Sequence, residues 1–254
     1  MKPFDVAGRL ALVTGATRGI GLGIARAFIQ SEAGAILVGR DEQELARVAE
    51  ELRVYAQPVH IAAFDLRNTG QISEWFEQLC DRTGTPDILV NAAGISRRGL
   101  AVDLTLDDWQ EVMAINATAI FELSRSFARR RIAQGGGGSV IHIASLMTAA
   151  ARAGTAPYTA SKGAVGQLTK VLAVEWAKYG IRVNAVAPGY ISTDLNRSLM
   201  ADPQFDDWVK QRCPLGRWGT PEDIGWPVVF LASAAAGFIN GHVLFADGGW
   251  MATF

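Results

Sequence analysis

Apolar residues in this chain fall in short runs, separated by longer stretches in which they return every three or four positions. The runs are LALV from Leu10, AILV from Ala35, VHIAAF from Val59, DILVNAA from Asp87, SVIHIA from Ser139, IRVNAVA from Ile181 and HVLFA from His242. Each has the length and composition of a strand, while segments 107–131 and 160–178 between them have helical period. The pattern predicts seven strands alternating with helices. Strands apolar on both faces must be covered on both faces, so the sheet is expected to be parallel and joined by right-handed crossovers. The expected fold class is α/β: a Rossmann-like, doubly wound, seven-stranded parallel sheet in a three-layer α/β/α sandwich.

Composition narrows this. The 254 residues are 49% hydrophobic and 19% charged, enough apolar material for a core, and no Pro/Ser-rich linker or fixed-period repeat divides them, so 1–254 reads as one domain. The run Gly135 to Gly138 falls between a helix and a strand and is expected to be a flexible surface turn. With 24 Lys+Arg against 25 Asp+Glu the chain has no global field to hold nucleic acid, so a phosphate ligand must be gripped locally. The start, MKPFDVAGRLALVTG, lacks a cleavage-like signal region, and no apolar run is long enough to cross a membrane. A cytoplasmic location is expected by default. Cys80 and Cys213 show no CxxC spacing, and His60, His142 and His242 sit in strand-like stretches; no metal site is expected.

The first run leads directly into Thr14-Gly15-Ala16-Thr17-Arg18-Gly19-Ile20-Gly21 and a helix-like stretch. A glycine turn between strand and helix lets the backbone approach a pyrophosphate, which meets the unpaired N–H groups at the helix start. Gly15, Thr17, Arg18, Gly19, Ile20 and Gly21 are therefore candidate cofactor contacts, although the spacing is G-x-x-x-G-x-G rather than G-x-G-x-x-G. Where NAD enzymes of this architecture carry an acid roughly 20 residues on, this chain has Gly39-Arg40. A guanidinium binds a 2′-phosphate that a carboxylate repels, so NADP is favoured. The alternative makes Asp41 the ribose partner of NAD. Asp65 and Leu66, after the third strand, are secondary cofactor candidates, with Asp65 also readable as a simple cap.

Ser145 follows the fifth strand, and Tyr158 and Lys162 open a long helix four residues apart. That spacing puts both side chains on one helix face, where an ammonium can favour tyrosinate. A phenol beside a cation, with a hydroxyl polarising a carbonyl, is the proton-handling half of ketone reduction; nicotinamide carries the other half.

With TGATRGIG from Thr14, NAAG from Asn91, Asn116 in AINAT, Ser145, YTASK from Tyr158 and PGYIST from Pro188, the chain resembles the short-chain dehydrogenase/reductase family from about Gly8 to Trp250. The resemblance implies that Tyr158 is the general acid/base, that Lys162 binds the nicotinamide ribose and lowers the tyrosine, that Ser145 orients the carbonyl and that Asn116 holds a relay water. It places Asn91, Ala92, Gly94, Pro188, Gly189, Ile191 and Thr193 at the cofactor, with a helix cap as the alternative for Thr193. Ala92 departs from the family's usual NNAG, and the strand-end backbone there is expected to supply most contacts. A homotetramer is usual among similar proteins.

Within the family, AGISRRG from Ala93, the stretch from Ala201 to Ile224 and FINGHVLFADGGW from Phe238 are most similar to gluconate 5-dehydrogenase and deoxygluconate dehydrogenase members. Arg97 and Arg98 follow the fourth strand, at the sheet edge where ligands bind, and could grip a carboxylate; Arg152 and Tyr190 are further substrate candidates. Residues 190–213 are expected to form a substrate loop or mobile lid, unless Phe205, Trp208 and Trp218 make a fixed cover or a subunit contact. The expected activity is NADP-linked interconversion of a secondary alcohol and a ketone on a small sugar acid or polyol. The alternatives are 3-oxoacyl-carrier-protein reduction, which needs a basic docking face, and a dinucleotide-binding protein without chemistry.

Overall fold

The structure is a computed structural model describing residues 3–253. Seven parallel strands, β1 (Leu10–Thr14), β2 (Gly34–Gly39), β3 (Val59–Ala63), β4 (Ile88–Asn91), β5 (Gly138–Ile143), β6 (Ile181–Pro188) and β7 (Val243–Ala246), lie in the order β3-β2-β1-β4-β5-β6-β7. Every strand anticipated from the apolar runs is present. Chain order reverses beside β1, which pairs with both β2 and β4. A crevice opens at such a reversal, beyond the carboxyl ends of the strands.

Because successive residues of a strand point to opposite faces, each strand feeds two cores. Val13, Leu37, Val90 and Ile141 pack under α1 (Gly19–Gln30), α2 (Glu42–Leu52) and α9 (Pro221–Ala232). Leu12, Ile36, Leu89 and Val140 pack under α3 (Ile72–Thr83), α5 (Ala119–Ala133) and α6 (Ala156–Trp176). The three layers follow. Phe28 on one side and Phe76 and Phe127 on the other are fully buried; truncating such a side chain to alanine costs about 3–5 kcal/mol.

One helix and one turn add detail to the sequence pattern. The stretch expected as one helix over 107–131 is α4 (Leu106–Met113) and α5 joined by a π-helical turn, Ala114–Thr118. The extra residue such a turn inserts is a recurrent feature of functional sites. The glycine run before β5 is a turn, as expected, but a held one: Gly136 N donates to Arg131 O and Gly137 N to Tyr179 O, each at 2.7 Å, while Arg131 Nε donates to Gly137 O. α7 (Arg197–Met200) and α8 (Pro203–Arg212) lie in the long connection after β6. Among the described residues no helix is long and apolar enough to cross a membrane, and no cluster of His, Cys, Asp or Glu could hold a metal ion.

Candidate active site

At the reversal the turn from β1 to α1 lines a cleft of about 500 Å³ together with Arg40, Asp65, Leu66, Ala92 and Gly94. A cavity of about 150 Å³ continues from it, lined by Ser145, Tyr158, Lys162, Pro188, Gly189 and Tyr190 among others. Ile20, Ala92, Gly94, Thr193 and Leu195 border both, so a molecule lying in the cleft reaches Ser145, Tyr158 and Lys162.

The turn fits a dinucleotide. A Cβ on Gly21 would stand 2.2 Å from Gly15 O, and one on Gly15 would meet Ala93 Cα at 3.0 Å from a residue whose φ is already +67°. Only glycine permits that cradle. α1 has no side-chain cap at Arg18 and no acid in its first turn, which leaves its leading N–H groups for an anion.

Arg40 lines the cleft, whereas Asp41 caps α2, its Oδ1 accepting from Gln43 N at 3.0 Å and Glu44 N at 3.1 Å. The carboxylate that would have read an NAD ribose is thus engaged with its own helix. Arg18 is 3.8 Å from Asp194 across the mouth. Asp65 lies past the end of β3 and accepts from Arg67 N at 3.0 Å; the Arg67 guanidinium, and more weakly Arg40, hold its carboxyl below the ordinary range. Thr193 makes no side-chain cap and borders both volumes.

Asn91 and the strand end after it differ from expectation. Asn91 is buried and donates to Ser124 Oγ at 3.1 Å, away from the cleft. The N–H groups of Ala92 and Ala93 both donate to Thr14 Oγ1 at 3.0 Å, so these donors tie β4 to β1 rather than face a ligand. Thr14 was not singled out in the sequence, where nothing marks a threonine as such a clasp.

Ser145 stands at the end of β5 in extended conformation; its Oγ accepts from Met147 N at 3.2 Å, which frees its proton for the cavity. Tyr158 and Lys162 are on α6 with the ammonium 5.6 Å from the phenol ring. Desolvation raises the Tyr158 phenol above its ordinary value, opposed by a hydrogen bond with Ser145 and by the charge of Arg98. The expectation of a tyrosine lowered by Lys162 is therefore not met in this state. The buried ammonium instead donates to Ile143 O at 2.7 Å, and burial lowers it to about 8.

Asn116 lies in the π turn. Its Oδ1 accepts from Ile95 N at 2.9 Å, and its Nδ2 donates to Ile95 O at 2.8 Å and to Ser161 Oγ at 3.1 Å. Both amide protons are taken, so the side chain braces the loop after β4 against α6, which a water-holding role did not anticipate.

The two adjacent arginines separate. Arg97 is turned to the surface and forms an ion pair with Glu111 at 2.5 Å, outside both volumes. Arg98 lines the reaction cavity, donating to Asn196 Oδ1 at 3.2 Å, and desolvation and the Arg152 charge lower it from its ordinary value. Arg152 donates to Tyr190 Oη at 3.4 Å and lies 4.5 Å over the Phe205 ring. Neither Arg98 nor Arg152 has a carboxylate within ion-pair distance among the described residues. Leu195, Asn196 and Leu199 complete this wall; sequence reasoning named only the segment that carries them.

Of residues 190–213, the stretch from Tyr190 to Leu199 lines the cavity, and the aromatic side chains of the segment pack together in a layer. Tyr190 contacts Phe205, Trp208, Trp218 and Trp250 at ring separations of 5.7, 5.9, 5.6 and 4.8 Å, and Trp218 Nε1 donates to Asp206 Oδ1 at 2.7 Å. Trp250 comes from the far end of the chain, and sequence reasoning did not include it in this layer.

A protein-family model described as Enoyl-(Acyl carrier protein) reductase matches residues 15–251. The chain is 39% identical to a gluconate 5-dehydrogenase of Gluconobacter oxydans over 97% of its length and 96% of the relative's. It is 38% identical to a 2-dehydro-3-deoxy-D-gluconate 5-dehydrogenase of Escherichia coli, over 99% of each chain. A crystal structure of a gluconate 5-dehydrogenase from Burkholderia cenocepacia in complex with NADP and tartrate is 41% identical, superposes with a TM-score of 0.95, and covers 99% of this chain and 98% of its own.

Proposed function

As the chain belongs to the short-chain dehydrogenase/reductase family, we propose that it is an NADP(H)-dependent oxidoreductase that interconverts a secondary alcohol and a ketone on a sugar acid of the gluconate/5-ketogluconate type. The observation that carries the substrate is the pair Arg98 and Arg152, two guanidiniums without carboxylate partners among the described residues, at the cavity that holds Ser145 and Tyr158. A ligand carboxylate supplies what they lack, and an arginine clamp gives charge and direction together. The relatives named for gluconate chemistry and the neighbour crystallised with NADP and tartrate support this reading.

Arg40 beside the cleft, with Asp41 withdrawn into its cap, supports NADP over NAD. A nicotinamide cofactor held there by the glycine turn and Arg40 would supply the hydride chemistry. The protein's residues handle the proton. In reduction Tyr158 Oη gives its proton to the carbonyl oxygen and in oxidation takes one back, while the Ser145 hydroxyl holds that oxygen in place. A phenol kept protonated by desolvation is suited to donation at neutral pH, and Lys162, fixed on Ile143 O with its ammonium 5.6 Å from the ring, would stabilise the phenolate left behind and hold the nicotinamide ribose. An inert dinucleotide-binding protein would have no use for this set.

The whole chain acts as one dinucleotide-binding catalytic domain with 190–213 as its lid. It assembles as a homotetramer, a reading supported by the exposed apolar side chains Phe121, Val171 and Val174 on α5 and α6. It works in the cytoplasm, in keeping with two free, buried thiols, Cys80 and Cys213. An acyl-carrier substrate is disfavoured because its apolar chain would lie against two cations. The test is NADPH absorbance with 5-ketogluconate, neutral keto sugars and acetoacetyl thioesters. Turnover greatest on the keto acid is expected; activity confined to the thioesters would overturn the proposal.

A further inference from the structure

A second cavity, of about 280 Å³, lies behind the reaction cavity, and the two linings have only Tyr190 and Ile191 in common. Ile191 is buried and its main chain is bridged to Gly219, so it forms fixed structure. The Tyr190 side chain is the movable part of the partition. Its hydroxyl meets Arg152 on the substrate side, and its ring is flanked by Trp250, which lines the volume behind, together with Val209, Cys213 and Phe245.

From this juxtaposition we infer that Tyr190 is a specificity-determining residue, a wall that limits how far the acid group of a substrate can stand from the carbon being reduced. The inference rests on the reading that an acid binds at Arg98 and Arg152. Because Arg152 reaches the Tyr190 hydroxyl, the wall stands directly behind the clamp, and a ligand too long for the space between clamp and Tyr158 runs into the ring. Removing the ring joins the two volumes. The main chain has its own anchors, since Gly219 N donates to Tyr190 O at 2.9 Å and Ser192 N to Gly219 O at 2.8 Å, so a smaller side chain leaves the strand end in place.

The experiment measures kcat/KM with NADPH for straight-chain methyl-ketone acids, starting at 5-oxohexanoate and moving the carboxylate away two carbons at a time. The native enzyme is expected to lose activity steeply with length. Tyr190→Ala is expected to lose about tenfold on the short acid and gain about tenfold on the long ones. Tyr190→Leu, which keeps an apolar side chain among the tryptophans, is expected to move the optimum in the same direction by less, and it decides the matter if the alanine variant does not fold. Tyr190→Phe keeps the wall and should keep the length profile while raising KM for every acid. A parallel fall at all lengths in both Ala and Leu variants, or an unchanged order of preference, would overturn the inference. If the native enzyme reduces neutral ketones but none of the acids, the acid reading fails, and the same variants on neutral ketones of matched length then decide the wall by itself.

Discussion

The two ends of the cleft are made of different material. At the β1–α1 end the shape is main chain: Gly21 against Gly15 O, Gly15 against Ala93, and a helix start without a side-chain cap. At the opposite end the shape is side chain: Arg98 on Asn196, Arg152 on Phe205, and Tyr190 among three tryptophans. A backbone cradle reads the constant part of a ligand, its phosphates, and tolerates no Cβ. A side-chain wall can be exchanged residue by residue without disturbing the sheet. The trio Ser145, Tyr158 and Lys162, to which we assign the proton chemistry, lies between them.

The widest separation between these regions comes from the trio itself. Tyr158→Phe removes the proton donor and keeps the ring, so turnover is expected to fall by about 10²–10⁴ with cofactor binding, followed by NADPH fluorescence titration, unchanged. Undiminished turnover would end the assigned mechanism. Next in size is the side-chain end: Arg98→Met is expected to raise KM for keto acids by about 10- to 100-fold and leave neutral keto sugars nearly untouched. Equal losses on both would mean that Arg98 acts through folding. At the main-chain end an exchangeable side chain is Arg40, which lines the cleft, and Arg40→Asp is expected to shift the NADP/NAD preference toward NAD by about tenfold or more; kinetics unaltered with either coenzyme would refute its role.

The smallest effect at neutral pH concerns a group outside both regions. His142 is buried, with Nε2 3.2 Å from Ser124 Oγ and Nδ1 3.0 Å from Thr169 Oγ1, and burial lowers it to about 3. Asn91 Nδ2 donates to Ser124 Oγ and Thr169 Oγ1 donates to Val165 O, so the imidazole is neutral with its proton on Nδ1. Below its unfolded value of about 6.5 the unfolded chain takes up a proton that the folded chain refuses, and stability falls by up to about 1.4 kcal/mol per pH unit from this group. Urea unfolding between pH 6.5 and 5, above the carboxylate range, should show that slope, and His142→Asn should flatten it. The same slope in both proteins would refute the assignment.

These differences also mark what the sequence made legible. Strands buried on both faces announce themselves as unbroken apolar runs, and a glycine turn announces itself because no other residue can take its place. Tyr158 and Lys162 are found by helical spacing. What stayed hidden depends on directions and on distant partners. Arg97 and Arg98 are neighbours that a turn sends opposite ways, one to Glu111 and one to the cavity. Arg40 and Asp41 part similarly, and only the cap on α2 decides between them. Asn116 has a family motif around it but no signal that Ile95 and Ser161 would claim its amide. Trp250 reaches Tyr190 from sixty residues away in the chain.

The π turn between α4 and α5 sets the phase of everything after it. Each helical residue advances the screw by about 100°, so the inserted residue lets α4 and α5 each aim its own apolar stripe independently. A deletion of one residue within 114–118 would keep the rod continuous yet swing Leu123 and Phe127 out of the sheet's core and carry Asn116 off its two anchors. A local irregularity in one helix thereby keeps the hydrophobic register and the bracing of the active-site loop mutually compatible.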